Sequence, residues 1–180
     1  MMQRIDLAPL LRETVATPYS DLVTRSTGAA LRDRIERTIS SASHRTTQLD
    51  FTSVGLLDFS CADEVVAKLL LRVADDEEHY VVLSGVTESH LDAIEHVLER
   101  HGLSVAALTP GDQAPRVLGA TTPDVIAAFQ IVQRLGAGDA GRLADALGWT
   151  IERAADALQL LALRRLIQAA GGTYRPLVLP

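Results

Sequence analysis

The residues with the clearest chemical potential lie in the segment Asp58-Phe59-Ser60-Cys61-Ala62-Asp63-Glu64. Ser60 could cap a helix through its hydroxyl, while Asp63 and Glu64 would lie where the helix dipole favours carboxylates. Capping and dipole complementarity explain the segment by themselves. Alternatively, phosphorylation of Ser60 would add charge beside Asp58 and Asp63 and repel a docked partner. The second interpretation makes Asp58, Ser60, Cys61 and Asp63 a partner-switch loop, and both interpretations stay open.

The other chemistry-bearing residues form no recognisable catalytic or metal site. A thiol near a helix start can have a lowered pKa, but no histidine adjoins Cys61, so a core cysteine is the preferred interpretation. His90, His96 and His101 share one helix and are spread around and along it, so we expect them to face solvent and to hold no metal. The pattern G-x-G-x-x-G at 136–141 follows an amphipathic helix instead of a strand, which predicts a connection between helices. The sequence thus predicts a protein that is not an enzyme and has no cofactor.

The elements that must position the segment at 58–64 alternate between strand and helix. Polar and apolar residues alternate over 48–51, and apolar runs at 80–83 and 104–108 are typical of buried strands. Apolar stripes at helical spacing predict helices over 32–41, over 62–73 and from Thr87 or Ser89 to about Gly102. Residues 3–7 could add an edge strand that Pro9 soon ends. This order predicts an α/β domain over residues 1–109, with a mainly parallel sheet covered by helices.

The composition changes after residue 109. Two prolines and a glycine in Thr109-Pro110-Gly111-Asp112-Gln113-Ala114-Pro115 predict a linker over 110–121. Thr122-Pro123 is a typical helix entrance, and helices are predicted after it, over 140–147 and from Thr150. Extended stretches at 165–168 and 173–177 flank Gly171-Gly172, which could form a tight hairpin. Residues 122–180 are therefore predicted to form a second, mostly helical domain with the layout of a winged helix.

The first domain resembles STAS domains, the fold of anti-sigma-factor antagonists. The resemblance lies in the order of a strand, a short apolar turn and a helix that begins with polar residues. Asp58 matches the aspartate of their Asp-Ser-Ser-Gly motif and Ser60 its second serine, whereas Phe59 replaces the phosphorylated first serine. Ser60-Cys61-Ala62-Asp63-Glu64 is also similar to the Ser-Phe-Ala-Asp-Glu of a STAS-like family of unknown function. The resemblance covers residues 1–109 and implies a STAS-like fold whose partner is a kinase-like or sigma-factor regulator.

The second domain resembles the helix-turn-helix of bacterial winged-helix regulators over residues 122–180. Leu143-Ala144, Leu147-Gly148 and Thr150 match that pattern, which implies a helix entering the DNA major groove and a wing on the backbone. The candidate DNA-contacting residues are Arg142, Thr150, Arg153, Gln159, Arg164 and Arg175. Because Glu152 and Asp156 share the reading surface, DNA binding and a winged helix used for dimerisation or partner docking both stay open.

The charge is unevenly divided. Residues 1–120 carry 18 acidic and 11 basic side chains, whereas the rest carries five and six. The acidic part should repel nucleic acid and membrane phosphates, so any DNA contact must come from the second domain.

No apolar run could span a bilayer, and an early acid at Asp6 argues against a secretory signal, so we expect a cytoplasmic protein. The leucines at 160–163 predict a homodimer through the second domain.

These observations together predict a non-enzymatic bacterial signalling protein. Its STAS-like α/β domain would bind a protein and its winged helix would deliver the output in transcriptional regulation. The alternative is an adaptor or assembly protein whose winged helix mediates dimerisation or docking without DNA.

Overall fold

A five-stranded sheet organises residues 2–119. In the computed structural model, which describes residues 2–76 and 79–177, the strands are β1 (Met2–Asp6), β2 (Thr46–Asp50), β3 (Tyr80–Ser84), β4 (Ser104–Leu108) and β5 (Arg116–Gly119). They lie side by side in chain order, with β1 to β4 parallel and β5 antiparallel to β4. The prediction of an α/β fold with a mainly parallel sheet is confirmed.

Four helices join the parallel strands and cover one face of the sheet. They are α1 (Leu7–Val15), α2 (Arg25–Ser41), α3 and α4 (Glu88–Arg100), where α3 runs through Phe59–Ala62, a π-helical turn at Asp63–Lys68, and Leu69–Val73. Right-handed connections between strands in chain order place their helices on the same side. One buried core accordingly joins all four helices to strand residues such as Ile5, Leu49 and Leu83.

The opposite face of the sheet is covered by the C-terminal elements. These are α5 (Pro123–Leu135), α6 (Ala140–Leu147), α7 (Ile151–Leu163) and a hairpin of β6 (Ile167–Ala170) and β7 (Thr173–Pro176). Their core around Phe129 and Leu158 includes Val82 and Ala106, which point away from the first core. The sheet is thus packed between two layers of helices.

Two neighbouring arginines attach the end of α7 to the sheet layer. Arg164 donates to the main-chain oxygen of Ala120, just after β5, and lies 3.4 Å from Ser104 Oγ. Arg165 donates to four main-chain oxygens at and after the end of α3, those of Val73, Ala74, Asp76 and His79. These contacts join the two layers through charged hydrogen bonds as well as through apolar packing.

The edge strand predicted at 3–7 is present as β1, but helix α1 after it and the start of α2 were missed. Pro9 lies in the first turn of α1, where its missing N–H leaves no helical bond unmade. Asp6 caps this helix by accepting from the Ala8 N–H at 3.3 Å. Helix α2 begins at Arg25 instead of residue 32, because its first turn, Arg25-Ser26-Thr27-Gly28, lacks the apolar spacing on which the prediction relied.

The segment predicted as a linker contains a strand. Residues 116–119 form β5, and Val117 pairs with Ala106 and Leu118 with Val105. A four-residue strand that follows Pro115 and ends at Gly119 has too few apolar positions to stand out among turn residues. The chain therefore adds its last sheet strand directly before the C-terminal helices begin.

Several C-terminal details agree with the prediction. Thr122 caps α5 by accepting from the Val125 N–H at 3.3 Å. Gly171 and Gly172 both have positive φ angles in the turn between β6 and β7. The last three residues of the predicted second domain, 178–180, lie outside the described residues. No helix in the described part of the chain is both long and apolar enough to cross a bilayer.

Candidate functional site

The loop between α1 and α2 and the loop that follows β2 pair with each other through their main chains. The Leu22 N–H donates to Leu56 O at 2.7 Å, and the Asp58 N–H donates to Leu22 O at 3.0 Å. Leu22 and Leu57 face each other across this short parallel bridge and are buried. Because side chains alternate along extended backbone, the neighbouring Val23 and Leu56 point outward.

Four large apolar side chains are exposed on this loop pair and at the start of α3. Tyr19 is 69% exposed, Val23 40%, Leu56 66% and Phe59 56%. We call these four residues the loop surface. The Phe59 ring lies 5.0 Å from the ring of His96 on α4, which extends the surface toward that helix. Exposed apolar groups grouped in this way are typical of protein-binding surfaces.

Asp58 holds the loop pair and the helix start together. Its carboxylate accepts from the Cys61 N–H at 2.7 Å, the Ser60 hydroxyl at 2.8 Å and the Thr24 N–H at 3.0 Å. Burial by itself would raise the pKa of Asp58, but these hydrogen bonds lower it below its ordinary value. The prediction that Ser60 caps α3 is wrong, since the helix begins at Phe59 and Asp58 is the cap.

Cys61 is a buried thiol. Its S–H donates to Thr24 O at 2.9 Å, and Gly28 of α2 approaches so closely that a Cβ there would lie 3.0 Å from Cys61 Cα. Burial raises the pKa of Cys61 to about 12, and the charge of Asp58 raises it further. The helix start therefore does not lower this pKa, and the interpretation as a core cysteine is confirmed.

Asp63 and Glu64 belong to a cluster of ion pairs between helices. Arg25 donates to both carboxylates at 2.8 Å, and His101 pairs with Asp63 at 2.8 Å. Glu64, only 2% exposed, is also paired with Arg32 and with Lys68. Burial would raise the pKa of both acids, but the cationic partners lower it. These acids fix α2 against the π turn of α3, a role that the dipole interpretation did not foresee.

The prediction that His90, His96 and His101 all face solvent is wrong for His90. His90 is buried, and its Nε2 donates to Gly55 O at 2.8 Å while its Nδ1 accepts from the Thr87 N–H at 3.2 Å. The ring thus supports the loop that carries Leu56. No group of three or more His, Cys, Asp or Glu side chains among residues 2–76 and 79–177 could hold a metal ion.

The four residues of the predicted partner-switch loop support the loop surface more than they form it. Asp58, Ser60 and Asp63 are partly buried and hydrogen-bonded, and Cys61 is buried. The sequence analysis missed Tyr19, Val23 and Leu56 as surface residues. The sequence offered little indication of these three residues, because a single apolar residue among turn residues does not show which loops will pair.

The six candidate DNA-contacting residues do not share one free surface. Thr150 caps α7 by accepting from the Arg153 N–H at 3.2 Å. The Arg153 guanidinium makes two hydrogen bonds to Asp124, at 2.7 and 2.8 Å, and lies 4.2 Å from the Trp149 ring. Arg164 is turned to Ala120, as described above.

The remaining three candidates are exposed. Arg142 lies on α6, Gln159 on α7 and Arg175 on β7. Arg142 Nη1 makes a long contact of 3.4 Å with Ala137 O. Two of the four candidate arginines, Arg142 and Arg175, are therefore available for phosphate contacts.

Comparison with protein-family models, with curated proteins and with solved structures gave no match to this chain.

Proposed function

We propose that this protein is a non-enzymatic regulatory adaptor that binds another protein through the loop surface. The exposure of Leu56 on a backbone fixed by hydrogen bonds, with Tyr19 and Phe59 also exposed, is the observation that carries this proposal. A rigid apolar surface loses little conformational entropy on binding, so more of its burial energy contributes to affinity. The buried thiol and the fully engaged carboxylates beside it support a role in binding rather than in catalysis.

The charge around the loop surface defines the partner's chemistry. Helix α4, which contacts Phe59 through His96, exposes Glu88, Asp92 and Glu99 on its outer side. The partner should therefore present apolar side chains ringed by lysine or arginine, because complementary charges speed association and favour the correct orientation. A basic, apolar surface of a kinase-like or sigma-factor regulator would fit this description.

The C-terminal helices and hairpin would act as a winged helix that docks protein. Arg153 is held by Asp124 and Trp149, and Arg164 is held by Ala120, so both would have to give up internal contacts to reach phosphates. Exposed Ile151 at the start of α7 adds an apolar contact that DNA phosphates would not use. These features favour the adaptor over the DNA-binding regulator.

Transcriptional regulation with direct DNA contact is the second candidate function. Arg142 and Arg175 are exposed, and Thr150 caps α7, the helix that would enter the major groove in a winged helix. Anisotropy titrations on random duplex DNA at low and rising salt distinguish the two functions. The adaptor should show no saturable binding even at low salt, where phosphate contacts are strongest.

A photo-cross-linking experiment tests the loop surface. A photoreactive amino acid replaces Leu56 in one variant and Leu135 of α5, which is also exposed, in a matched control. We expect the position-56 variant to form a discrete protein adduct in the host cell and the position-135 variant to form none of the same mass.

The adduct partner is then purified and titrated against the unlabelled protein. Phe59→Ser should weaken binding by about tenfold or more, because an anchoring aromatic residue commonly contributes over 1.4 kcal/mol. Leu135→Ser should leave the affinity unchanged. Absence of an adduct at position 56, or equal affinity of Phe59→Ser and the native protein, would refute the proposed function.

A further inference from the structure

A cavity lies between the end of α7 and the amino ends of β3 and β4. It has a volume of about 360 Å³ and is open to solvent at one side. Both layers of the protein contribute to its apolar wall, which includes Leu70, Val73, Val81, Leu103, Val105 and Leu160. The size and the mainly apolar wall are typical of small-ligand pockets.

Two arginines place positive charge at this cavity. Arg164 and Arg165 line it, and both donate to main-chain oxygens, as described above. No Asp or Glu side chain of the described residues lies within 4 Å of either guanidinium, whereas Arg153 on the same helix has such a partner. The apolar wall limits screening by water, so the charge of this pair acts strongly inside the cavity.

The other polar groups fit an anionic head group as well. Ser104 Oγ lies 3.4 Å from Arg164 Nη1, so a hydroxyl and a guanidinium meet at one side of the cavity. Carboxylates are commonly bound by such pairs of charged and neutral donors. The remaining wall offers apolar contacts that only a hydrocarbon or aromatic tail can use.

We infer that this cavity binds a small amphipathic carboxylate, with its head group on Arg164 and Ser104 and its tail among the leucines and valines. The ligand would touch the sheet layer and α7 at once, so binding would stabilise the attachment of the two layers. This inference is independent of the loop surface, which lies at the opposite, carboxyl edge of the sheet.

Three eight-carbon probes separate the charge from the tail. Octanoate, octan-1-ol and octylammonium are each titrated into the full chain by calorimetry and by thermal unfolding. Octanoate should bind with a stoichiometry of one and raise the unfolding temperature. Octan-1-ol should bind about tenfold more weakly, because it loses a charged hydrogen bond, and octylammonium should not bind saturably.

Leu163 provides a matched pair of variants. It lines the cavity yet is 79% exposed, so neither Leu163→Glu nor Leu163→Lys should disturb folding. Leu163→Glu should weaken octanoate binding by about fivefold or more through like-charge repulsion, and Leu163→Lys should not weaken it. Arg164→Gln, checked by circular dichroism, should also weaken octanoate binding.

The outcomes are decisive in both directions. Equal affinities for the three probes, no saturable octanoate binding, or equal octanoate affinities of Leu163→Glu and Leu163→Lys would each overturn the inference. None of these results bears on the partner proposed for the loop surface, because Leu163 and Arg164 take no part in it.

Discussion

Arg165 should contribute more to stability than any other exposed or half-buried arginine of the C-terminal elements. Its guanidinium donates to His79 O at 2.9 Å, Val73 O at 3.1 Å and Ala74 O at 2.7 Å, and also to Asp76 O. Its own backbone has φ +57°, the left-handed region that costs a non-glycine residue about 1 kcal/mol. The contacts to α3 must offset this strain.

The loss of stability expected in Arg165→Ala depends on which of the four main-chain oxygens water could reach once the guanidinium is removed. Ala74 and Asp76 are exposed, so their oxygens would regain water, whereas Val73 and His79 are buried. Two charged hydrogen bonds to buried residues contribute about 1.5 kcal/mol each. We therefore expect Arg165→Ala to lower the free energy of unfolding by about 3 kcal/mol. Arg165→Gly should lose about 2 kcal/mol, because glycine relieves the positive φ.

Urea unfolding followed by circular dichroism and by the fluorescence of Trp149 measures these losses. Trp149 is the single tryptophan and lies between α6 and α7, so its transition reports the C-terminal layer. In Arg165→Ala this transition should precede the loss of circular dichroism, since the layers are less firmly attached.

Arg175→Ala removes an exposed arginine of β7 as the control and should change stability by less than about 0.5 kcal/mol. A native-like stability of Arg165→Gly, or a loss below about 0.5 kcal/mol in Arg165→Ala, would refute the reasoning.

Three further predictions concern titratable and modifiable groups. Burial, and then the charge of Arg165, lower the pKa of His79 although Asp76 opposes them, so the unfolded chain takes up a proton first as the pH falls. The free energy of unfolding should thus be highest above about pH 6.5 and decrease below it, and urea titrations at several pH values should show a smaller decrease in His79→Gln. Cys61, with a pKa of about 12, should react with iodoacetamide at neutral pH far more slowly than in urea-unfolded protein, as mass spectrometry would show, and equal rates would contradict its burial. Ser60→Glu should place a second carboxylate beside Asp58 and lower stability by about 1–2 kcal/mol, whereas Ser60→Ala should cost about 1 kcal/mol or less in the same unfolding assay. If Ser60→Glu proves as stable as Ser60→Ala, the charge-repulsion argument fails.

The parallel sheet and the C-terminal helices could be predicted because their signals are local. Apolar runs and stripes identified β3, β4 and α7, and Thr122-Pro123 fixed the start of α5. Short or polar elements were missed, as α1, β5 and the first turn of α2 show. Such elements take their stability from neighbours in space, and their own residues carry little pattern.

The sequence pointed to the segment that supports the loop surface but not to Tyr19, Val23 or Leu56. The segment at 58–64 lies beside the proposed binding surface. Within this segment the Asp58 carboxylate accepts a hydrogen bond from the Cys61 N–H, and the Cys61 side chain is buried. Leu56 and Val23 became surface residues only because Leu22 and Leu57 pair across the two loops. That pairing joins residues 35 positions apart, and no local pattern encodes it.

The amino-acid sequence by itself determined the order of β1 to β4 and of the C-terminal helices, the helix caps at Thr122 and Thr150, and the acidic character of the first 120 residues. These properties depend on residues within a few positions of one another or on their simple sum. Only the tertiary structure decided that the C-terminal helices cover the second face of the sheet and that Arg165 ties them to α3. Those contacts depend on long-range packing. The Arg165 guanidinium donates hydrogen bonds to main-chain oxygens that lie far from it in the sequence, such as those of Ala74 and His79.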